Sequence, residues 1–129
     1  MTEEQYNKLT REIIASAIEV HKQLGPGLLE SVYENCLLHE FKARGINVQN
    51  QVQLPLYYKG EKLDKHFVLD LLVEDSVIVE LKAVEDILPV HEVQLVTYLK
   101  LSGKKLGLLI NFNASVLKHG IRRRINGIL

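Results

Sequence analysis

Two nearly continuous apolar runs, His66 to Val73 and Val77 to Ala83, are separated only by Glu74-Asp75-Ser76. Runs this short and this apolar read as strands buried on both faces, which requires a sheet covered by helices on either side. The rest of the chain supplies such covers. From Thr2 to Leu24, apolar residues fall at Tyr6, Leu9, Ile13, Ala17, Val20 and Leu24, the three-or-four spacing of an amphipathic helix. Thr2 with Gln5 matches a capping box, and Gly25-Pro26 is a stop. A second helix is expected from Gly27 or Leu28 to about Arg44, with Leu29, Val32, Tyr33, Cys36, Leu37 and Phe41 inward.

The period then changes to two. Ile46, Val48, Val52, Leu54, Leu56 and Tyr58 form the apolar side of a long half-buried strand, which Asn50 interrupts and where Pro55 suggests an edge or a bulge. Lys59-Gly60-Glu61 is a turn signal. A third helix should start at Pro89, a favoured first helical position, and end at Ser102-Gly103. A last apolar strand covers Leu106 to Phe112, and the tail from Gly120 to Leu129 reads as a strand or an extended arm. The order helix, helix, three strands, helix, strand describes an α/β sandwich with a central mixed sheet flanked by helices, not a doubly wound parallel fold.

The 129 residues suit one compact domain, 1–129. Sixteen basic residues balance sixteen acidic ones, so the chain as a whole has no attraction for nucleic acid or anionic membrane, and such contacts would need local patches. Cys36 is the only cysteine, which excludes an internal disulfide and a cysteine-based zinc site; an inert core thiol is expected. The N-terminus is polar and acidic, unlike a signal peptide, and no apolar run approaches the ~20 residues of a membrane span, so a cytoplasmic location is expected.

Asp70 interrupts the first apolar run, and Glu80 and Lys82 interrupt the second. Charges are rare in such strands because an unpaired buried ion is costly. If Glu74-Asp75-Ser76 is a three-residue hairpin loop, Val73 pairs with Val77 and Asp70 falls opposite Glu80 on one face, with Lys82 projecting from the same face. A two-residue loop would instead turn Glu80 to the other face. A divalent cation would relieve the repulsion of two adjacent carboxylates, and Mg²⁺ is held by one or two carboxylates with its other positions left open. Lys82 would then orient or deprotonate a water aimed at a phosphodiester. A structural salt-bridge cluster needing no metal explains the same spacing equally well.

Asp70, nine further residues, then Glu80-Leu81-Lys82 on adjacent antiparallel strands resembles the PD-(D/E)xK nuclease superfamily. Gly27-Leu-Leu-Glu30-Ser-Val-Tyr33 resembles the signature of its GxxExxY family, as do His21 to Gly27, Leu88 to Tyr98 and Leu106 to Phe112. The resemblance implies a restriction-endonuclease-like αβ sandwich that hydrolyses nucleic acid with Mg²⁺ or Mn²⁺, DNA in preference to RNA. It implies Asp70, Glu80 and the Leu81 backbone carbonyl as metal ligands, Lys82 serving the attacking water, Glu30 as an acid brought from a helix, and Gln94 and Tyr98 lining the site. Leu69 stands where the superfamily name has proline, a position without chemistry. The alternative is a catalytically silent nuclease-fold module acting in protein binding or assembly, as a homodimer or with a protein partner that supplies target recognition.

The remaining polar residues have plainer readings. His21 and His91 are expected to be packed, Gly27 to start the helix, and Tyr33 to lie under the site. Glu85 and Asp86 are expected to be solvated or capping. Arg122-Arg123-Arg124 suits phosphates or a solvated strand edge. No glycine-rich phosphate loop is present: Gly25-Pro26-Gly27 lacks the spacing and a preceding strand.

Overall fold

A computed structural model describes residues 1–129. Its elements are α1 (Glu3–Leu24), α2 (Glu30–Ala43), β1 (Val48–Tyr58), β2 (Glu61–Val73), β3 (Val77–Lys82), α3 (Pro89–Ser102), β4 (Leu106–Asn111), a 3₁₀ turn (Leu117–Gly120) and β5 (Ile121–Ile125). The five strands form one sheet in chain order. β3 and β4 run parallel and every other neighbouring pair is antiparallel, giving the expected mixed sheet. Only α3 provides the long crossover that a parallel pair requires.

The alternation of β3 and β4 builds a core on each face. Val77, Val79, Leu81, Leu106, Leu108 and Ile110 pack with α1 and α2 around Ile13, Tyr33 and Phe41. Ile78 and Leu109 pack on the other side with Leu95, Tyr98 and Leu99 of α3. α3 lies close to the sheet because β4 has a glycine beneath it: a Cβ at Gly107 would stand 2.7 Å from Leu95 Cδ1. No helix is long and apolar enough to cross a membrane.

α1 and α3 match their expected spans, and the Thr2–Gln5 capping box is formed in both directions. α2 starts later than expected, at Glu30, and Leu29 and Val32 lie outward at 73% and 37% exposure. The cause is the preceding turn. The Tyr33 hydroxyl donates to Gly25 O at 2.6 Å and accepts from Leu28 N at 3.2 Å, while its ring stacks on Phe112, so residues 25–29 are held as a loop. Gly27 within it has φ +96°, open to glycine at no steric cost. Cys36 is half-buried against the core rather than inside it.

β1 departs from simple alternation. Val48 joins the core under α1 and α2, whereas Val52 and Leu54 join the one under α3, although all three are even-numbered. Gln51, with φ +52°, makes the change of face, and its register partner would be Asp70. β2 changes face at the same place: Leu71 packs on the α1–α2 side and Leu69 on the α3 side. Pro55 lies on the edge strand beside a register shift, as expected. β2 begins five residues before His66, since Glu61 to His66 are held only by pairing with β1 and are exposed. In the tail, Ile121–Ile125 forms a strand on the free edge of β4.

Candidate active site: a carboxylate pair where the β2–β3 ladder ends

The turn after β2 sets the site. Ser76 N donates to Val73 O at 3.0 Å, and Glu74 and Asp75 both have φ +51°, so the loop has three residues and Val73 pairs with Val77. Backbone pairing continues through Leu72–Ile78 and stops at Leu71–Val79. One step on, where Asp70 faces Glu80, side chains replace the ladder. Leu81 N donates to Asp70 Oδ2 at 2.8 Å, and Asp70 N donates to Glu80 Oε2 at 3.4 Å. The hairpin register expected from the sequence is therefore present, and it brings the two carboxylates together.

Glu80 is 6% exposed, and its Oε1 has no hydrogen-bond partner. Its carboxyl is pushed up to about 10, first by burial and then by the hydrogen bond and charge of the adjoining Asp70 side chain; the Asp70 N–H and the Lys82 ammonium only partly oppose this. Near neutral pH such a group must carry a proton or face a cation. Of the structure's three ion pairs, Arg44–Glu40, Lys104–Asp75 and Arg124–Glu92, none involves Asp70, Glu80 or Lys82. The salt-bridge cluster that the spacing also allowed is absent.

The residues present fit a divalent cation. Two hard carboxylates meet with one buried oxygen unpartnered, and Mg²⁺ is commonly held by no more protein charge than this. The Leu81 peptide points the right way: Lys82 O is taken by Phe112 N of the β4 side at 2.9 Å, and successive carbonyls of a strand alternate edges, so Leu81 O faces the β2 side where the ladder has ended. No third His, Cys, Asp or Glu completes a three-ligand cluster. Glu30, in the first turn of α2, is exposed and makes no ion pair or hydrogen bond with either carboxylate.

α3 closes the site from above. Tyr98 is 6% exposed, its ring 5.1 Å from that of Phe67, and its hydroxyl pKa is raised first by burial and then by the Glu80 and Asp70 charges, with the Gln94 amide acting the other way. Gln94 lies on the exposed side of the helix one turn earlier. The structure thus gathers Asp70, Glu80, Lys82 and Tyr98, with Gln94 at the margin, and leaves Glu30 apart.

Sequence reasoning gave no role to Asn111. It is 3% exposed; its Oδ1 accepts from Val84 N at 3.1 Å and Asn113 N at 3.2 Å, and its Nδ2 donates to Val84 O at 2.9 Å. It fixes the chain just past Lys82. Its signal was a lone amide closing the apolar run Leu106–Ile110. Beyond it, a cleft of about 480 Å³ is lined by Glu85, Asp86, Asn113, His119 and Arg122 among others.

The other polar candidates are structural. His21 Nε2 lies 2.8 Å from Ala114 O, and His91 Nδ1 accepts from Leu88 N at the start of α3. The arginine run is divided by the alternation of β5: Arg123 bonds Asn7 of α1, while Arg124 pairs with Glu92 of α3. It is not a continuous basic patch.

A mixed sheet with helices on both faces, carrying an Asp and a Glu-x-Lys where a hairpin ladder ends, defines a restriction-endonuclease-like protein of the PD-(D/E)xK kind. A family model described as the PD-(D/E)XK nuclease superfamily matches residues 7–124, and the chain belongs to that superfamily. No curated protein and no solved structure matches the chain.

Proposed function

We propose that the protein is a divalent-metal-dependent phosphodiesterase acting on nucleic acid, DNA in preference to RNA, and a GxxExxY-type member of its superfamily. Asp70, Glu80 and the Leu81 carbonyl hold Mg²⁺, or Mn²⁺ in its place. When bound, the cation supplies Lewis acidity and neutralises charge developing on a phosphate. Lys82, unpaired and on the same face, orients the attacking water and takes up its proton. Tyr98 and Gln94 line the approach under α3, and Asn111 keeps the chain after Lys82 in place. Glu30, exposed in the first turn of α2 and bonded to neither carboxylate, is given no step in this reading.

The observation that carries this reading is the buried Glu80 oxygen left without a partner beside a second carboxylate and an uncommitted lysine. A structural cluster would have satisfied it. The test is a cleavage screen over single- and double-stranded DNA and RNA with Mg²⁺ or Mn²⁺, beside Asp70→Ala and Lys82→Met. Cleavage that needs the metal and disappears in both variants is expected. Turnover that survives Asp70→Ala would refute the assignment, and no cleavage by the unaltered chain would favour a silent assembly module.

A further inference from the structure

β2 does not end at the site. N-terminal to Asp70, its residues pair with β1 alone, because the pairing with β3 begins at Leu71. α3 covers the root of this two-stranded ribbon at Leu54 and Leu69, but from Tyr57 to His66 every residue is exposed. At ~3.3 Å per residue the strand from Glu61 to Asp70 carries the ribbon up to about 30 Å from the carboxylates. A bare hairpin of this length is at best marginally stable alone and gains little by projecting into water.

Its tip has an unusual surface. Tyr57 and Tyr58 are 61% and 63% exposed, and successive strand residues point to opposite faces, so each face of the ribbon presents one ring. Lys59 Nζ lies 5.5 Å from the centre of the Tyr58 ring, and Lys62, Lys65 and His66 are exposed nearby, against Glu61 and Asp64. On either face a strand of unpaired bases would meet one exposed ring on which a base can stack, with lysines near the tip to meet phosphates; paired bases offer no free faces.

We propose that the β1–β2 ribbon is a stacking arm for single-stranded nucleic acid, feeding a strand along β2 to Asp70. This rests on the nuclease reading and narrows its substrate class. The geometry favours it because the arm and the site share one strand, β2, so a chain lying along the ribbon is led towards the carboxylates.

The test measures binding with cleavage disabled by EDTA. A fluorescent single-stranded oligonucleotide and its duplex are titrated by anisotropy with the full chain, with the double variant Tyr57→Ser/Tyr58→Ser, and with Tyr57→Phe/Tyr58→Phe. Stacking on one ring is worth roughly 5- to 150-fold in affinity, so the serine pair should bind the single strand at least about fivefold more weakly, and the phenylalanine pair should bind it normally. The chain has no tryptophan, so tyrosine emission is directly visible and should be quenched by the single strand less in the phenylalanine pair. Unchanged binding by the serine pair overturns the arm, as does equal preference of the unaltered chain for duplex. Sedimentation that shows a dimer becoming monomeric in the serine pair also overturns it, assigning the arm to self-association. Because no hydrolysis is involved, the arm is decided separately from the catalytic assignment.

Discussion

The Asp70 carboxylate stands in for a backbone acceptor where the β2–β3 ladder ends: it takes the Leu81 N–H at 2.8 Å, while the Asp70 N–H turns to Glu80. Each acid is therefore positioned by the other's strand, and neither can be moved without opening the hairpin. This explains how a sheet interior keeps two adjacent carboxyl groups.

The arrangement imposes a pH dependence on the metal-free protein. Glu80 rises from 4.5 to about 10 on folding, so between those values the folded chain binds a proton that the unfolded chain has lost. Stability must then fall as pH rises through this window. In EDTA, Glu80→Gln, which keeps the shape of the protonated acid, should melt several degrees above the unaltered chain at pH 8, and the gap should narrow towards pH 5. Thermal melts at both pH values check this. A gap that is absent, or that grows on acidification, would contradict it.

Removing Asn111 should loosen the site without touching it. Asn111→Ala breaks three hydrogen bonds and leaves Val84 N and O without partners, costing about 2–3 kcal/mol in a denaturant melt. The loop from Val84 to Leu88 should gain hydrogen exchange, while the β4–β5 pairs keep their protection. Cleavage should drop with it, since the chain beyond Lys82 is no longer fixed.

α3 reaches its position because Gly107 has no side chain. Gly107→Ala drives a methyl to 2.7 Å from Leu95 and should destabilise the fold by ~1–3 kcal/mol. Shortening the obstructing residue tests the cause: Leu95→Ala combined with Gly107→Ala should cost less than the sum of the two single changes. Strict additivity in chemical denaturation would show that the two positions do not compete for space.

The architecture was legible where periodicity and punctuation agreed. α1 carries a full apolar stripe between a capping box and Gly25, and α3 runs from Pro89 to Gly103. The Asp70–Glu80 register followed from the length of one loop. Hidden features were those without a burial signal. The outer half of β2 is exposed and held by pairing alone, so hydropathy could not show it. The change of face at Gln51 depends on a backbone angle, and a period-two reading passes straight through it. Tyr33 packs in the core with Leu81 and Phe112, but its hydroxyl also ties down the loop before α2, and this is why α2 starts late and leaves Glu30 exposed. The purpose of Asn111 needed the neighbouring strand to be seen.

Asp70 and Glu80 are proposed to hold one divalent cation jointly. Mn²⁺ titration followed by electron paramagnetic resonance of the free ion, with calorimetry in two buffers of different ionisation enthalpy, measures it directly. One Mn²⁺ per chain is expected, taken up with release of a proton from Glu80 near neutral pH, with that uptake lost in Asp70→Ala and Glu80→Ala. Uptake that persists unchanged in both variants, or no uptake by the unaltered chain, would contradict it.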